Sequence, residues 1–271
     1  MSDPSALPLF APTTDPGPSF AELLRQIAPH QLPGAGIDRL NELDVPHGTT
    51  VVAIRFADGV IMAGDRRATA GYTIASRRIE KVFPADDFSG VSIAGAAGPA
   101  AEMVKLFQVQ LEHYEKVQGD ALSLEGKANQ LGQLVRANLP AAMQGLAVVP
   151  LFAGFDVDRE RGRVFAYDVT GGRYEEQDFS AQGSGSVHAR NWIKAAWREG
   201  MTVDETIDLA LTSLFAAADE DVATGGPDLV RRIFPSVAAI DATGFRPLAD
   251  DEIADRSAAL LQGPERGGRE S

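Results

Sequence analysis

Hydrophobic positions along the chain fall into blocks of two different periods. Residues Thr50–Phe56 form a β-branched apolar run, Asp58-Gly59 is a hairpin turn signal, and residues 60–63 form a second apolar run, so a pair of strands is predicted. A third short strand fits residues 91–94. After Gly98 the spacing turns helical, with Met103, Phe107, Leu111 and Tyr114 on one stripe. A second helix is predicted over residues 124–143, its apolar face carried by Ala128, Leu131, Val135 and Leu139, with Pro140 kinking or ending it. Strands return over residues 150–157 and 163–170, joined through a charged turn, and another short strand fits residues 174–179. Two helices follow. In the second, Thr202 and Glu205 make a capping box ahead of Val203, Ile207, Ala210, Leu211, Leu214, Phe215 and Ala218 at a 3.6 period. A last strand fits residues 236–240.

Sheet and helix material in blocks, without βαβ alternation, indicates an α+β class. Two antiparallel sheets stacked between helix layers satisfy that order. The ends differ from the middle. Residues 1–48 carry Pro4, Pro8, Pro12, Pro16, Pro18, Pro33 and Pro46, with one plausible helix over residues 19–28 whose Leu23, Leu24 and Ile27 share a face. Such a segment cannot build a core alone and reads as a flexible arm or as a propeptide that packs on something else. After Pro247 the chain turns acidic and then rich in Gly, Arg and Glu, so residues 249–271 are expected to be a disordered tail. About 200 residues remain between these ends, enough for one domain of packed layers.

Charge and composition narrow the function. The formal net charge of -13 argues against attraction to phosphate backbones or anionic lipid, so neither nucleic acid nor membrane is an expected partner. The chain has no cysteine, which removes thiolate catalysis, disulfides and Cys-rich zinc sites. The first residues fail the charge and length tests of a signal peptide, and the longest apolar run, near residues 148–155, is too short to span a bilayer. A cytoplasmic location is expected. His30, His47, His113 and His188 have no metal-binding or triad spacing, and no metal or other cofactor is implied.

Candidate chemistry starts at the junction His47-Gly48-Thr49-Thr50-Val51-Val52-Ala53. Beyond it, Gly64-Asp65-Arg66-Arg67-Ala68-Thr69 ends the second strand, and Lys81 lies as far beyond Asp65 as Asp65 lies beyond Thr49. Later come Ala94-Gly95-Ala96-Ala97-Gly98, Gly183-Ser184-Gly185-Ser186 and Asp221-Val222-Ala223-Thr224-Gly225-Gly226. Taken singly, each is an ordinary strand end, turn or cap.

Taken together and in this order, the set resembles the proteasome β-subunits, over about residues 49–248. The segments Arg66-Arg67-Ala68-Thr69 and Thr224-Gly225-Gly226-Pro227-Asp228-Leu229-Val230-Arg231-Arg232 look like the actinobacterial branch. The resemblance implies an N-terminal nucleophile (Ntn) hydrolase fold, a four-layer αββα sandwich, and a threonine endopeptidase that removes its own propeptide, residues 1–48, by cutting between Gly48 and Thr49. An aliphatic hydroxyl is a poor nucleophile near neutral pH, and a threonine at a chain start can use its own α-amine, with a reference pKa of about 7.7–8.0, as base. Before cleavage that amine is locked in a peptide bond.

The resemblance further places Lys81 near the Thr49 hydroxyl, with Asp65 holding its ammonium, both keeping the protonation state they have in water. Gly95 matches the glycine whose N–H faces the oxyanion. Ser184, Asp221 and Thr224 match the network around the α-amine, although many relatives have serine where Thr224 stands. The substrate is expected to add as a strand near Thr69 and residues 95–97. Ala68, Ile79, Ile93 and Ala97 match the primary pocket, all uncharged and small or apolar, so cleavage after hydrophobic residues is expected. Implied partners are β-subunits in a heptameric ring, α-subunits, an ATPase ring regulator, and unfolded or tagged protein substrates. Three rival readings are an HslV-type peptidase, a small-amide amidase of the same nucleophile class, and a silent ring subunit. The long leader, the test of casein against small amides, and the presence of Thr49, Asp65, Lys81 and Gly95 separate them in turn.

Overall fold

The computed structural model describes residues 48–262, together with Glu22 and Leu23, which are helical; the rest of the helix expected over residues 19–28 lies outside the described residues. The chain divides into units Met1–Leu43 and Asp44–Ser271, and the architecture below is that of the second.

Two five-stranded antiparallel sheets make its centre. The first runs in the order β10 (Phe179–Gly183), β1 (Thr50–Phe56), β2 (Gly59–Gly64), β11 (Ser236–Asp241), β12 (Gly244–Pro247). The second runs β5 (Val82–Asp86), β6 (Ser89–Gly95), β7 (Val148–Asp156), β8 (Arg161–Tyr167), β9 (Arg173–Glu176). A small hairpin, β3 (Ala68–Ala70) with β4 (Thr73–Ser76), stands apart from both. Helices α1 (Ala97–Gln118), α2 (Leu124–Ala137) and the short α3 (Leu139–Ala142) follow β6, α4 (Ser186–Ala196) and α5 (Val203–Glu220) follow β10, and α6 (Asp250–Gln262) ends the described chain.

Strand periodicity sorts the core into three slabs. In β1, Val51 and Ala53 point between the sheets, where they meet Val60, Met62, Leu151, Ala153, Val164 and Ile240. Val52, Ile54 and Phe56 point the other way, onto Ile207, Ala210, Leu211 and Leu214 of α5 and Ile193 of α4. The far face of the second sheet, through Val91, Phe152 and Phe165, packs on Met103, Phe107 and Leu111 of α1 and Leu131 of α2. The layers are therefore helix, sheet, sheet, helix, as the Ntn hydrolase sandwich requires.

Several expectations are corrected. Residues 174–179 are not one strand: β9 closes the second sheet and β10 opens the edge of the first, because the chain changes sheets at Gln177 and Asp178. Strand β8 stops at Tyr167, where the Asp168 carboxylate accepts from Thr170 N and Gly172 N and turns the chain. Pro140 begins the separate helix α3 near its N-terminus, where a missing N–H is harmless, and α2 ends before it. Tyr114 leaves the buried stripe of α1 and is exposed. The tail expected to be disordered from residue 249 is helical over Asp250–Gln262, anchored by the buried Ile253 and by Arg256, which pairs with Asp204 and Asp208 of α5. The remaining positions, 263–271, lie outside the described residues. The capping box ahead of α5 is present as expected.

Candidate active site

The strand alternation that builds the core also aims the junction. Thr49 and Val51 share the side between the sheets, while Thr50 and Val52 share the side toward α4 and α5. Thr49 is only 4% exposed, so its hydroxyl sits in a closed polar site at the end of the first sheet.

Four residues expected to act together meet there. The Thr49 hydroxyl donates to the Gly48 carbonyl at 2.6 Å. Lys81 Nζ donates to the same carbonyl at 3.1 Å, to Asp65 Oδ1 at 2.7 Å and to the Arg67 carbonyl at 2.6 Å, so each of its three protons has an acceptor. Burial pulls Lys81 below the ordinary lysine value, and Asp65 opposes that shift without cancelling it.

Asp65 is fully buried and fully bonded. Its Oδ1 also accepts from Thr50 N at 2.8 Å, and its Oδ2 accepts from Arg67 N and Gly225 N, each at 2.8 Å. A carboxylate holding four donors is at home in the interior only because the chain folds three backbone N–H groups onto it.

Gly48 is where it is because nothing larger fits. A Cβ there would lie 2.5 Å from Thr69 Oγ1 and 2.7 Å from the Ala223 carbonyl. Gly95, at the end of β6, has φ +113, and a Cβ would meet the Ala147 carbonyl at 2.1 Å, so backbone packing alone already demands glycine. It lies two residues beyond Ile93, whose N–H donates to the Lys81 carbonyl at 3.0 Å.

Ser184, Asp221 and Thr224 also converge. Ser184 donates from its N–H to the Thr49 carbonyl at 2.9 Å, and its hydroxyl lies 2.5 Å from Asp221 Oδ2 and 3.2 Å from that carbonyl. Thr224 donates to Asp221 Oδ2 at 2.6 Å. Burial pushes the Asp221 carboxyl up, but the hydrogen bonds from Ser184, Thr224 and Ala223 outweigh it and hold the carboxyl below its usual value. Sequence reasoning missed Arg67 and Gly225, which serve through backbone atoms and so leave no side-chain signature. It also missed Gly185, whose Cβ would lie 2.5 Å from Thr50 Oγ1.

Of the expected pocket positions, Ala68 and Thr69 lie on β3 beside Gly48, and Ile79 is tied back by its N–H to the Arg66 carbonyl at 3.1 Å. Ile93 is buried against the α1 and α2 layer, and Ala97 opens α1. A cavity of about 920 Å³ between β5, α1 and the β11–β12 hairpin is lined by none of these residues and not by Thr49. The hydrogen-bonded cluster, where reactive groups converge, is therefore the better marker of the chemistry.

A family model described as "Proteasome subunit" matches residues 45–230. The chain belongs to the proteasome subunit family. Its relatives include a proteasome subunit beta of Acidimicrobium ferrooxidans, 58% identical over 265 residues that cover 97% of each chain. Another, from Streptomyces griseus subsp. griseus, is 56% identical over 246 residues, covering 90% of this chain and 88% of the relative. Within the proteasome family the chain is thus a β-type subunit of the actinobacterial kind, a component of a proteolytic core assembled with other proteasome subunits. Among the described residues no helix is long and apolar enough to cross a membrane.

Proposed function

We propose that this chain is the precursor of a threonine endopeptidase subunit of the 20S core, which cuts itself between Gly48 and Thr49 and then uses the freed Thr49 on protein substrates. The observation that carries this reading is the meeting of two groups on one oxygen: the Thr49 hydroxyl and the Lys81 ammonium both donate to the Gly48 carbonyl inside a closed site. A carbonyl that accepts from an ammonium is polarised for attack, and the nearest hydroxyl belongs to the next residue.

In self-cleavage, Thr49 Oγ1 adds to the Gly48 carbonyl carbon, and Lys81 stabilises the negative oxygen that forms. Collapse breaks the C–N bond as the proton given up by the hydroxyl passes to the departing nitrogen, leaving Gly48 as an ester on Thr49 Oγ1 and releasing the α-amine. Water then hydrolyses the ester and frees both ends. The α-amine next serves as base when the same hydroxyl attacks a substrate carbonyl, and it passes the proton to the departing amine. Gly95 N–H is assigned to the substrate oxyanion, and Ser184, Asp221 and Thr224 to orienting the amine.

The crowding at Gly48 makes a direct test. Gly48→Ala forces a methyl against Thr69 and Ala223, an overpacking cost of roughly 1–3 kcal/mol if it displaces the scissile carbonyl. Leader removal, followed by mass spectrometry, is expected to slow by about 10- to 100-fold. Removal at the wild-type rate would disprove the close fit.

For substrate, Thr69 and residues 95–97 supply strand-like backbone pairing, and Ala68, Ile79, Ile93 and Ala97 supply an uncharged primary pocket. Fluorogenic peptides ending in Leu or Tyr are expected to be cleaved faster than those ending in Arg or Glu; the reverse order would remove the pocket assignment. Sites of this kind are enclosed when β-subunits form heptameric rings capped by α-subunit rings and fed by an ATPase ring in the cytoplasm. Leu106, Val109 and Val117 leave an apolar strip of α1 exposed in the single chain, which suits it to a subunit contact.

A further inference from the structure

Once Gly48 has left, Thr49 is a chain end with no covalent anchor on one side. Its position must then come from the peptide unit that joins it to Thr50. That unit is gripped at both poles: its carbonyl oxygen accepts from Ser184 N–H, and its N–H donates to Asp65 Oδ1. The Asp65 side of the grip is fixed by four donors. The Ser184 side depends on Asp221, and Asp221 depends on a hydroxyl chain that begins at Thr50.

The direction of that chain follows from proton counting. Asp221 is a carboxylate and only accepts, so Thr224 spends its one proton on Asp221 Oδ2 at 2.6 Å. The 2.6 Å contact between Thr50 Oγ1 and Thr224 Oγ1 must then be donated by Thr50. Thr50 Oγ1 in turn accepts from Gly185 N–H at 3.0 Å. Thr50 and Thr224 are both fully buried, and a Cβ on Gly185 would lie 2.5 Å and 2.7 Å from their two hydroxyls. Both hydroxyls are closed off from bulk solvent, and each has one role it can fill.

The geometry points to Thr50 as a positioning residue for the nucleophile: its hydroxyl drives Thr224 onto Asp221, and Asp221 holds Ser184 against the Thr49 carbonyl. Thr50 thus joins the two halves of the site, through its backbone N–H to Asp65 and through its side chain to Asp221. A valine in its place keeps the β-branch and nearly the volume; it removes the proton that orders the chain and, with it, the acceptor of Gly185 N–H. His188 and Lys81 also act electrostatically on Asp221, and neither takes part in the hydroxyl chain.

This inference rests on Thr49 being the nucleophile, so the test counts turnover per free Thr49 amino terminus in assembled protein. Thr50→Val is expected to lower kcat for a fluorogenic peptide by about tenfold or more with KM within twofold, and Thr50→Ser to restore it. Thr224→Val breaks the same chain one link further on. It is expected to lower kcat at least as far, and adding Thr50→Val to it is expected to change little more. Unchanged kcat in Thr224→Val overturns the proposal even if Thr50→Val does not assemble. So do full activity in Thr50→Val, failure of Thr50→Ser to rescue, or losses that simply multiply in the double variant. Activity that persists in Thr49→Ala instead refutes the nucleophile assignment and leaves the chain of hydroxyls with another purpose.

Discussion

Thr49→Ala is expected to leave residues 1–48 attached and to reduce peptide hydrolysis by roughly 10⁴-fold or more, the scale seen when a covalent nucleophile is deleted. Both losses have one cause. The hydroxyl that donates to the Gly48 carbonyl at 2.6 Å is the attacking atom in each reaction, and among the described residues no second hydroxyl is bonded to that carbonyl. Stability should barely move. Among the described residues the Thr49 side chain makes one hydrogen bond, to its own neighbour's carbonyl, so removing that bond costs about 1 kcal/mol or less. The decisive measurement combines intact mass with a thermal melt, on rings that contain only the variant. An unprocessed, inactive protein melting close to wild type is the expected result. A variant that still starts at residue 49 without active neighbours would place the cutting group elsewhere.

The outline of the fold was legible because burial on two sides leaves a strong pattern. Val52, Ile54 and Phe56 face helices while Val51 and Ala53 face the other sheet, so β1 reads as an unbroken apolar run. The elements that escaped are those at edges. Strand β12 and the β3–β4 hairpin have few buried side chains, so although each pairs with its neighbour in the chain they lack the apolar run that marks a central strand. Helix α6 was missed because its acidic first turn reads as a solvated tail; Arg256 makes it dock by meeting Asp204 and Asp208, two residues that only the fold brings near. At the site, reactive side chains announced themselves as a set, whereas their supports did not. Arg67 serves Lys81 and Asp65 through its carbonyl and N–H, which every residue type possesses.

Asp65 and Lys81 form one buried pair, yet removing one partner should not resemble removing the other. Lys81→Met leaves the Asp65 carboxylate with three backbone donors, from Thr50, Arg67 and Gly225, so the charge that remains is still well solvated by the protein. Its cost should fall below the roughly 3–5 kcal/mol typical of a broken buried pair. The variant is therefore expected to fold and accumulate as an intact precursor. With nothing left to polarise the Gly48 carbonyl, or to favour the Thr49 alkoxide, peptide hydrolysis should drop by about 10³-fold or more. Asp65→Leu reverses the balance. Three buried N–H groups lose their acceptor at about 1–3 kcal/mol each, and Lys81, already pulled down by burial, loses the charge that opposes the pull. That sum approaches the whole stability of a domain, about 5–15 kcal/mol, so Asp65→Leu is expected to yield little folded protein. Soluble yield, melting temperature and intact mass of the two variants side by side decide the matter. Equal folding of both would mean that the backbone N–H groups around Asp65 find other acceptors, and a Lys81→Met protein that sheds its leader would take the ammonium out of the chemistry.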